Sequence, residues 1–113
     1  MKLSELTFDE TNLREVAAVE GFVGTWQSRF GQIRFLPQEA EAYGEGSAWR
    51  AEYGAGHQCE LVVRGDELHG SWMENDRTGA VRFRLTRDGR HIQGAYGRGE
   101  KPPLLDWACW DRS

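Results

Sequence analysis

The stretch GFVGTWQSRFGQIRF, residues 21–35, carries the pattern that decides the fold. Apolar and polar residues alternate on both sides of SRFGQ (28–32), which has the composition of a tight turn. A period of two in two runs joined by a short glycine-containing turn is typical of an antiparallel β-hairpin. We therefore expect the chain from Gly21 onward to be built from such hairpins.

The hairpin recurs, because Trp26, Trp49, Trp72 and Tyr96 follow one another at separations of 23, 23 and 24 residues. Three of these aromatic residues end the pattern apolar-x-Gly-x-aromatic, in FVGTW (22–26), LHGSW (68–72) and IQGAY (92–96). Two strands of roughly 7 to 9 residues with their turns have about this length. Four such units predict eight strands.

The turns predict which residues share a face. YGAGH (53–57), RGDE (64–67) and RDGR (87–90) hold the residues that tight hairpins favour. The inner face set by these turns comprises Trp49, Ala51, Tyr53, His57, Cys59, Leu61, Val63, Leu68, Gly70, Trp72, Glu74, Val81, Phe83, Leu85, Ile92, Gly94 and Tyr96. In the closing strand we expect Trp107 and Cys109 to face inward and Trp110 outward, because this choice buries no charge.

One apolar and one polar face on consecutive hairpins predict an all-β fold, a small antiparallel up-and-down barrel of about eight strands over residues 21–113. A six-stranded half-barrel or a flattened sandwich is the alternative. Upstream, TNLREVAAVE (11–20) has the N-cap residues and apolar spacing of a short α-helix that ends at Gly21. Residues 1–20 are predicted as an N-terminal arm and helix, and the whole chain as one domain.

Charge and composition exclude several partners. The net charge of −4 and pI of about 5.4 argue against nucleic acid and anionic membranes, which select basic faces. The sequence contains no apolar run of about 20 residues, and its N-terminus is too polar for a secretory signal. We expect a cytoplasmic protein with Cys59 and Cys109 as buried reduced thiols; a disulfide between them is the alternative.

The segment GTWQSRFGQIRF (24–35) resembles the first hairpin of the avidin and streptavidin family, which has Gly-Thr-Trp followed by an Asn and a Gly-Ser turn. The resemblance covers about 15 residues and implies the calycin-like, or lipocalin-like, barrel architecture. Two biotin-contacting positions differ, because Ser28 stands where the family has Asn and Gln32 where it has Ser. The family's later tryptophans have no counterpart here, so the biotin site is not matched.

The repeated aromatic residues are the first candidate site. Trp26, Trp49, Trp72 and Tyr96 come from alternate predicted strands and are expected at similar depth, as walls of an apolar pocket in the barrel mouth. The alternative is that these rings only fill the interior, which eight strands leave barely wide enough for side chains. Polar contacts to a ligand are expected from Ser28, Tyr53, His57 and Glu74.

His57 and Glu74 face one another across a predicted hairpin pair, with Tyr53 at the same rim. A histidine beside a carboxylate suits general acid/base catalysis, and the alternative is that both side chains are simply solvated. His57-x-Cys59 lacks further ligands at zinc spacing, so neither a metal nor a cofactor is expected.

Three classes of function remain open. The first is a binding protein for a small apolar or aromatic ligand. The second is a cofactor-independent cyclase or isomerase of the natural-product type, with His57 and Glu74 as catalytic residues. The third is a protein-interaction module with a solid core, in which the outer face, Trp110 and the N-terminal segment bind the partner. An outward Trp110 is also consistent with a homodimer contact or with a patch covered by the helix.

Overall fold

Antiparallel strands form the regular structure of residues 19–113, the part of the chain that the computed structural model describes. Their bounds are β1 Gly24–Ser28, β2 Gly31–Pro37, β3 Ala48–Tyr53, β4 His57–Arg64, β5 Glu67–Glu74, β6 Arg77–Leu85, β7 Ile92–Tyr96, β8 Leu105–Asp106 and β9 Cys109–Trp110. β8 and β9 are segments of one strand, because both pair with β7 in a single register. Between them, the Trp107 amide donates to the Gly94 carbonyl at 2.8 Å.

Each strand pairs with its neighbours in sequence, and the sheet closes because β1 also pairs with β9. Closure leaves neither edge of the sheet unpaired. The prediction of an all-β, eight-stranded antiparallel barrel is confirmed. The half-barrel and sandwich alternatives are wrong.

The three hairpin registers predicted from turn residues are also confirmed. The pairs that flank these turns are Tyr53 with His57, Arg64 with Glu67, and Leu85 with Ile92. Gly65 occupies the two-residue β4–β5 turn with a φ of 62°, a left-handed conformation that glycine adopts without a steric penalty. Local turn chemistry therefore determines how these strands align.

Alternate residues of the strands point inward and form the core. The buried apolar residues in the strands and at Trp107 are Trp26, Ile33, Phe35, Trp49, Ala51, Tyr53, Cys59, Leu61, Val63, Leu68, Trp72, Val81, Phe83, Ile92, Tyr96, Trp107 and Cys109. Trp110 lies outside with 37% of its surface exposed. A Cβ at Gly70 would collide with the Glu60 carbonyl, so glycine lets these strands approach closely.

One end of the barrel is closed by residues outside the strands. Val19 and Phe22 are fully buried, and the Phe22 ring contacts Trp49 at a centroid separation of 6.4 Å. From the β2–β3 loop, Ala42 is buried and its carbonyl accepts the Trp49 indole N–H at 2.7 Å. We call the opposite end the mouth; it is formed by the β1–β2, β3–β4 and β5–β6 turns and the β7–β8 loop.

The helix predicted over residues 11–20 lies outside the described residues, apart from Val19 and Glu20. The carbonyls of these two residues accept the amides of Phe22 and Val23, both at 3.1 Å. Within residues 19–113, no helix is long and apolar enough to cross a membrane.

Candidate functional site

A cavity of about 680 Å³ opens at the mouth. It is lined by Phe30, Trp72, Glu74, Asp76, Arg77, Thr78, Tyr96, Arg98, Gly99 and Trp107. Aromatic rings form its apolar wall, and charged side chains from the β5–β6 hairpin and the β7–β8 loop form its rim. Small-molecule sites typically have volumes of roughly 300 to 1,000 Å³ and this mixture of apolar wall and few polar groups.

Hydrogen bonds and ring contacts hold the wall in place. The Trp72 indole N–H donates to the Gly97 carbonyl at 2.7 Å, and the Trp107 indole N–H donates to Ser28 Oγ at 3.1 Å. Phe30 meets Trp107 edge to face, at a centroid separation of 5.1 Å. Edge-to-face contact is a favoured geometry for aromatic pairs. The wall is therefore formed before any ligand arrives.

Gly79 allows the β7–β8 loop to pack against this wall. A Cβ at Gly79 would collide with the Gly97 carbonyl and lie 2.6 Å from Trp72 Nε1. The Gly97 amide donates to the Ala80 carbonyl at 2.9 Å, which anchors the loop on β6. The absence of a side chain at one position of β6 thus permits the hydrogen bond that orients Trp72.

Below the mouth, rings fill the barrel interior. Trp107 contacts Phe83 at 5.3 Å between ring centroids, Phe83 contacts Phe35 at 5.0 Å, and Phe35 contacts Phe22 at 5.4 Å. Phe22 in turn contacts Trp49 at the closed end. Because these contacts run from one end of the barrel to the other, the cavity is confined to the mouth and the rest of the interior is core.

The four repeated aromatic residues separate into two groups. Trp72 and Tyr96 line the cavity, whereas Trp26 and Trp49 are buried outside it and donate their indole N–H groups to backbone carbonyls. The structure therefore does not place all four at similar depth, contrary to expectation. The β2–β3 loop spans residues 38–47 and the β4–β5 turn only 65–66, so equal sequence spacing puts Trp49 early in β3 and Trp72 late in β5.

Ser28, predicted as a polar contact for a ligand, is occupied by intramolecular hydrogen bonds. Its hydroxyl donates to the Gly31 carbonyl at 2.8 Å and accepts the Phe30 amide at 3.2 Å and the Trp107 indole N–H at 3.1 Å. A serine hydroxyl has one donor and two acceptor positions. Ser28 therefore orients Phe30 and Trp107. It would affect ligand binding only by positioning these two rings.

Tyr53, His57 and Glu74 come together at the mouth. The Tyr53 hydroxyl donates to Glu74 Oε2 at 2.9 Å, and His57 Nε2 lies 4.0 Å from Glu74 Oε1. Burial, and then the hydrogen bond to Glu74, raises the pKa of Tyr53 far above its ordinary value, so the phenol remains a donor. The arrangement holds one carboxylate at the cavity wall, where it can accept a hydrogen bond, attract a cation or take up a proton.

Several lining residues were not predicted as part of the site, among them Phe30, Arg77, Arg98 and Trp107. Phe30 stands in the predicted turn SRFGQ, and an aromatic residue in such a turn is a signal that its ring folds back over the barrel end. The sequence predicted that Trp107 faces inward, but not that it lies at the mouth end of the barrel. The two arginines carried no signal, because charged residues near turns are ordinary.

A second depression, of about 480 Å³, lies beside the β3–β4 turn on the outer side of β1 to β3. It is lined by Thr25, Gln32, Arg34, Glu52, Tyr53, Gly54, Gly56, His57 and Gln58. Most of these side chains are polar and exposed, and the wall of rings found at the mouth has no counterpart among them. The depression is therefore a weaker candidate for an apolar ligand.

Cys59 and Cys109 are buried free thiols. Burial raises the pKa of both, that of Cys109 to about 12. They pack as small apolar residues of the core. A thiol that is buried and neutral has little reactivity. In the described part of the chain, no group of three or more His, Cys, Asp or Glu residues is arranged to hold a metal ion.

The hairpin that resembles the avidin family is β1–β2 in the structure. Ser28 faces inward, whereas Gln32 is exposed and lines the outer depression. The closed eight-stranded antiparallel barrel is the architecture that the resemblance implies. Neither a protein-family model, nor a curated protein, nor a solved structure matches this chain.

Proposed function

We propose that this protein is a non-enzymatic binding barrel, of calycin or avidin type, that takes a small apolar or aromatic molecule into its mouth. The observation that carries the proposal is the cavity of about 680 Å³ with a wall of rings from Phe30, Trp72, Tyr96 and Trp107. A rigid wall favours binding, because few side chains need to be ordered when the ligand enters. The buried free thiols agree with the expected cytoplasmic location.

Glu74 and its neighbours would select among ligands. The carboxylate lines the cavity and already accepts the Tyr53 hydroxyl, with His57 facing its second oxygen. A ligand that leaves the hydrogen bond from Tyr53 to Glu74 in place would be preferred to one that breaks it, since an unpaired carboxylate in a partly dry site is costly.

Native mass spectrometry of the freshly purified protein, with tryptophan fluorescence titrated against small apolar and aromatic compounds including biotin, tests the proposal. We expect a retained adduct or a saturable quench. Trp72→Phe should reduce the quench, and Trp110→Phe, which changes an exposed indole on the outer face, should not. Absence of both adduct and quench would overturn the proposal and favour a protein-interaction module that uses the exposed Trp110.

The hydrogen bond between Tyr53 and Glu74 favours a second candidate, a cofactor-independent isomerase or cyclase. A carboxylate fixed at the wall of an apolar cavity is suited to remove a proton from carbon and return it at another position. His57, 4.0 Å from Glu74, would then share the proton. This reaction needs no metal or cofactor.

Solvent-deuterium exchange distinguishes the two candidates. An enolisable aromatic ketone such as 2-tetralone, incubated with the protein in D₂O, would exchange its α-protons faster than in buffer if Glu74 acts as a base. Glu74→Gln should then retain binding and lose the exchange, because the amide keeps the shape but not the basicity. Binding without accelerated exchange would leave the binding barrel as the function.

A further inference from the structure

Two guanidinium groups lie at the mouth without a carboxylate partner in the described part of the chain. Arg77 begins β6, Arg98 lies in the β7–β8 loop, and both line the cavity. Within residues 19–113, the arginines that form ion pairs closer than 4.0 Å are Arg50 and Arg84, both elsewhere on the barrel.

Glu74 is the expected partner of Arg77, because the two residues are paired across the β5–β6 hairpin. Opposite charges at such positions normally attract. Glu74 instead accepts the Tyr53 hydroxyl at 2.9 Å and faces His57 at 4.0 Å, toward the β3–β4 hairpin. Among residues 19–113, Arg77 therefore has no carboxylate at ion-pair distance, and it lines the cavity.

Backbone hydrogen bonds hold the residues on either side of Arg98 against the start of β6, the strand that Arg77 begins. The amides on either side of Arg98, those of Gly97 and Gly99, both donate at 2.9 Å to carbonyls within the first four residues of β6. Two positive charges that line one cavity favour a bound anion. Glu74 and Asp76 also line the cavity and oppose an anion. An anion that binds guanidinium through two hydrogen bonds, as a carboxylate does, is therefore favoured over one that offers charge alone.

We propose that the ligand of the mouth is an aromatic carboxylate, whose ring packs on the aromatic wall and whose carboxylate binds Arg77 and Arg98. This inference rests on the proposed function and narrows it to one chemical class. It applies to the mouth alone, because the outer depression has no comparable wall of rings.

Calorimetric titration with three probes of one ring system tests the inference: 2-naphthoate, neutral 2-naphthamide and cationic 2-naphthylmethylammonium. We expect 2-naphthoate to bind about tenfold more tightly than the amide, as for a charge-assisted hydrogen bond that is partly exposed, and the cation to bind most weakly. Arg77→Gln and Arg98→Gln should each weaken naphthoate binding several-fold and leave the amide unaffected.

Arg64→Gln is the matched control, because Arg64 is exposed at the closed end of the barrel and its replacement changes the net charge equally. The inference is overturned if the amide binds as tightly as naphthoate, if the cation binds best, or if Arg64→Gln has the same effect as the mouth variants. If none of the three probes binds, the proposed function fails together with it. Binding of the amide without a preference for naphthoate overturns the inference alone.

Discussion

Ser28 shows how far the mouth depends on a single side chain. Its hydroxyl joins the β1–β2 turn to Trp107, which lies 79 residues further along the chain. The Trp107 ring in turn contacts the rings of Tyr53 and Phe30. The positions of all three rings therefore depend on the hydrogen bond between Trp107 and Ser28. The sequence predicted Ser28 as a ligand contact, whereas in the structure its hydroxyl holds the residues around it in place; we call this its framework role.

Ser28→Ala should lower the free energy of unfolding by about 1 to 3 kcal/mol, because the buried Trp107 indole N–H and the partly buried Phe30 amide would lose their acceptor. Urea denaturation measures the change. Ser71→Ala, at an exposed position of β5, is the control and should be nearly neutral. Equal stability of the two variants would contradict the framework role.

Tyr53→Phe should weaken naphthoate binding by about threefold without changing naphthamide binding, because a released Glu74 carboxylate would turn toward Arg77, its pair across the hairpin, with a gain typical of an exposed ion pair. Calorimetry on the variant measures this. Adding Glu74→Gln should restore the affinity, since the competing charge is gone. A double variant as weak as Tyr53→Phe would show that the tyrosine acts in another way.

At the scale of elements, the length of each loop determines the position along the barrel axis at which the following side chains lie. The long β2–β3 loop contributes Ala42 to the closed end, while the tight β4–β5 turn merely reverses the chain. The β7–β8 loop lies along β6 because Gly79 leaves room for the Gly97 carbonyl, and Gly97 in turn leaves room for the carbonyls of Lys101 and Pro102 within the loop. The mouth is thus formed by three turns and one loop, and its lining residues come from more than one of them.

Gly79→Ala should destabilise the protein by about 2 kcal/mol or more, because its Cβ meets backbone that cannot move without breaking the β6–loop contact. The same variant should alter tryptophan fluorescence, since the hydrogen bond from Trp72 to Gly97 would be lost. Gly44→Ala is the control: its Cβ would lie 3.9 Å from Ser47 Oγ, an ordinary contact. Unchanged fluorescence and stability in Gly79→Ala would refute the proposed packing.

The whole molecule combines a packed interior with one open end. Ring contacts connect the closed end to the mouth, and the two thiols are buried within the same core. This burial links the stability of the barrel to alkaline pH. The thiols stay protonated in the folded state, because their pKa values are raised, that of Cys109 to about 12 from an ordinary value of 9.0.

Stability should therefore fall as the pH rises above about 9, by roughly 1.4 kcal/mol per pH unit for each thiol. The sign follows because the unfolded chain loses these protons first and so binds fewer protons than the folded chain. Tyr53, whose pKa is also raised, adds to the loss above its ordinary value of 10.0. Urea denaturation from pH 8 to 10.5 measures the slope, which should be shallower in Cys109→Ala; parallel slopes would rule out this origin.

Sequence alone determined the number of strands, the register of three hairpins and the faces that those hairpins bury. Those features are local: a period of two reports which side is apolar, and turn residues such as Gly65 set the alignment of the two strands they join. The inward orientation of Trp107 and Cys109 followed from the same rule, since the opposite choice would have buried Asp106.

Only the tertiary structure decided which aromatic residues line a cavity and which are core. Depth along a barrel depends on loop lengths and strand stagger, so Trp49 and Trp72 occupy opposite ends despite equal spacing. The role of Ser28 likewise depends on a distant residue, Trp107. Arg77 has no ion pair within residues 19–113 because Tyr53, from another hairpin, holds Glu74. Period and turn chemistry act between neighbours in the chain, whereas a site is formed by residues that meet only after the barrel closes.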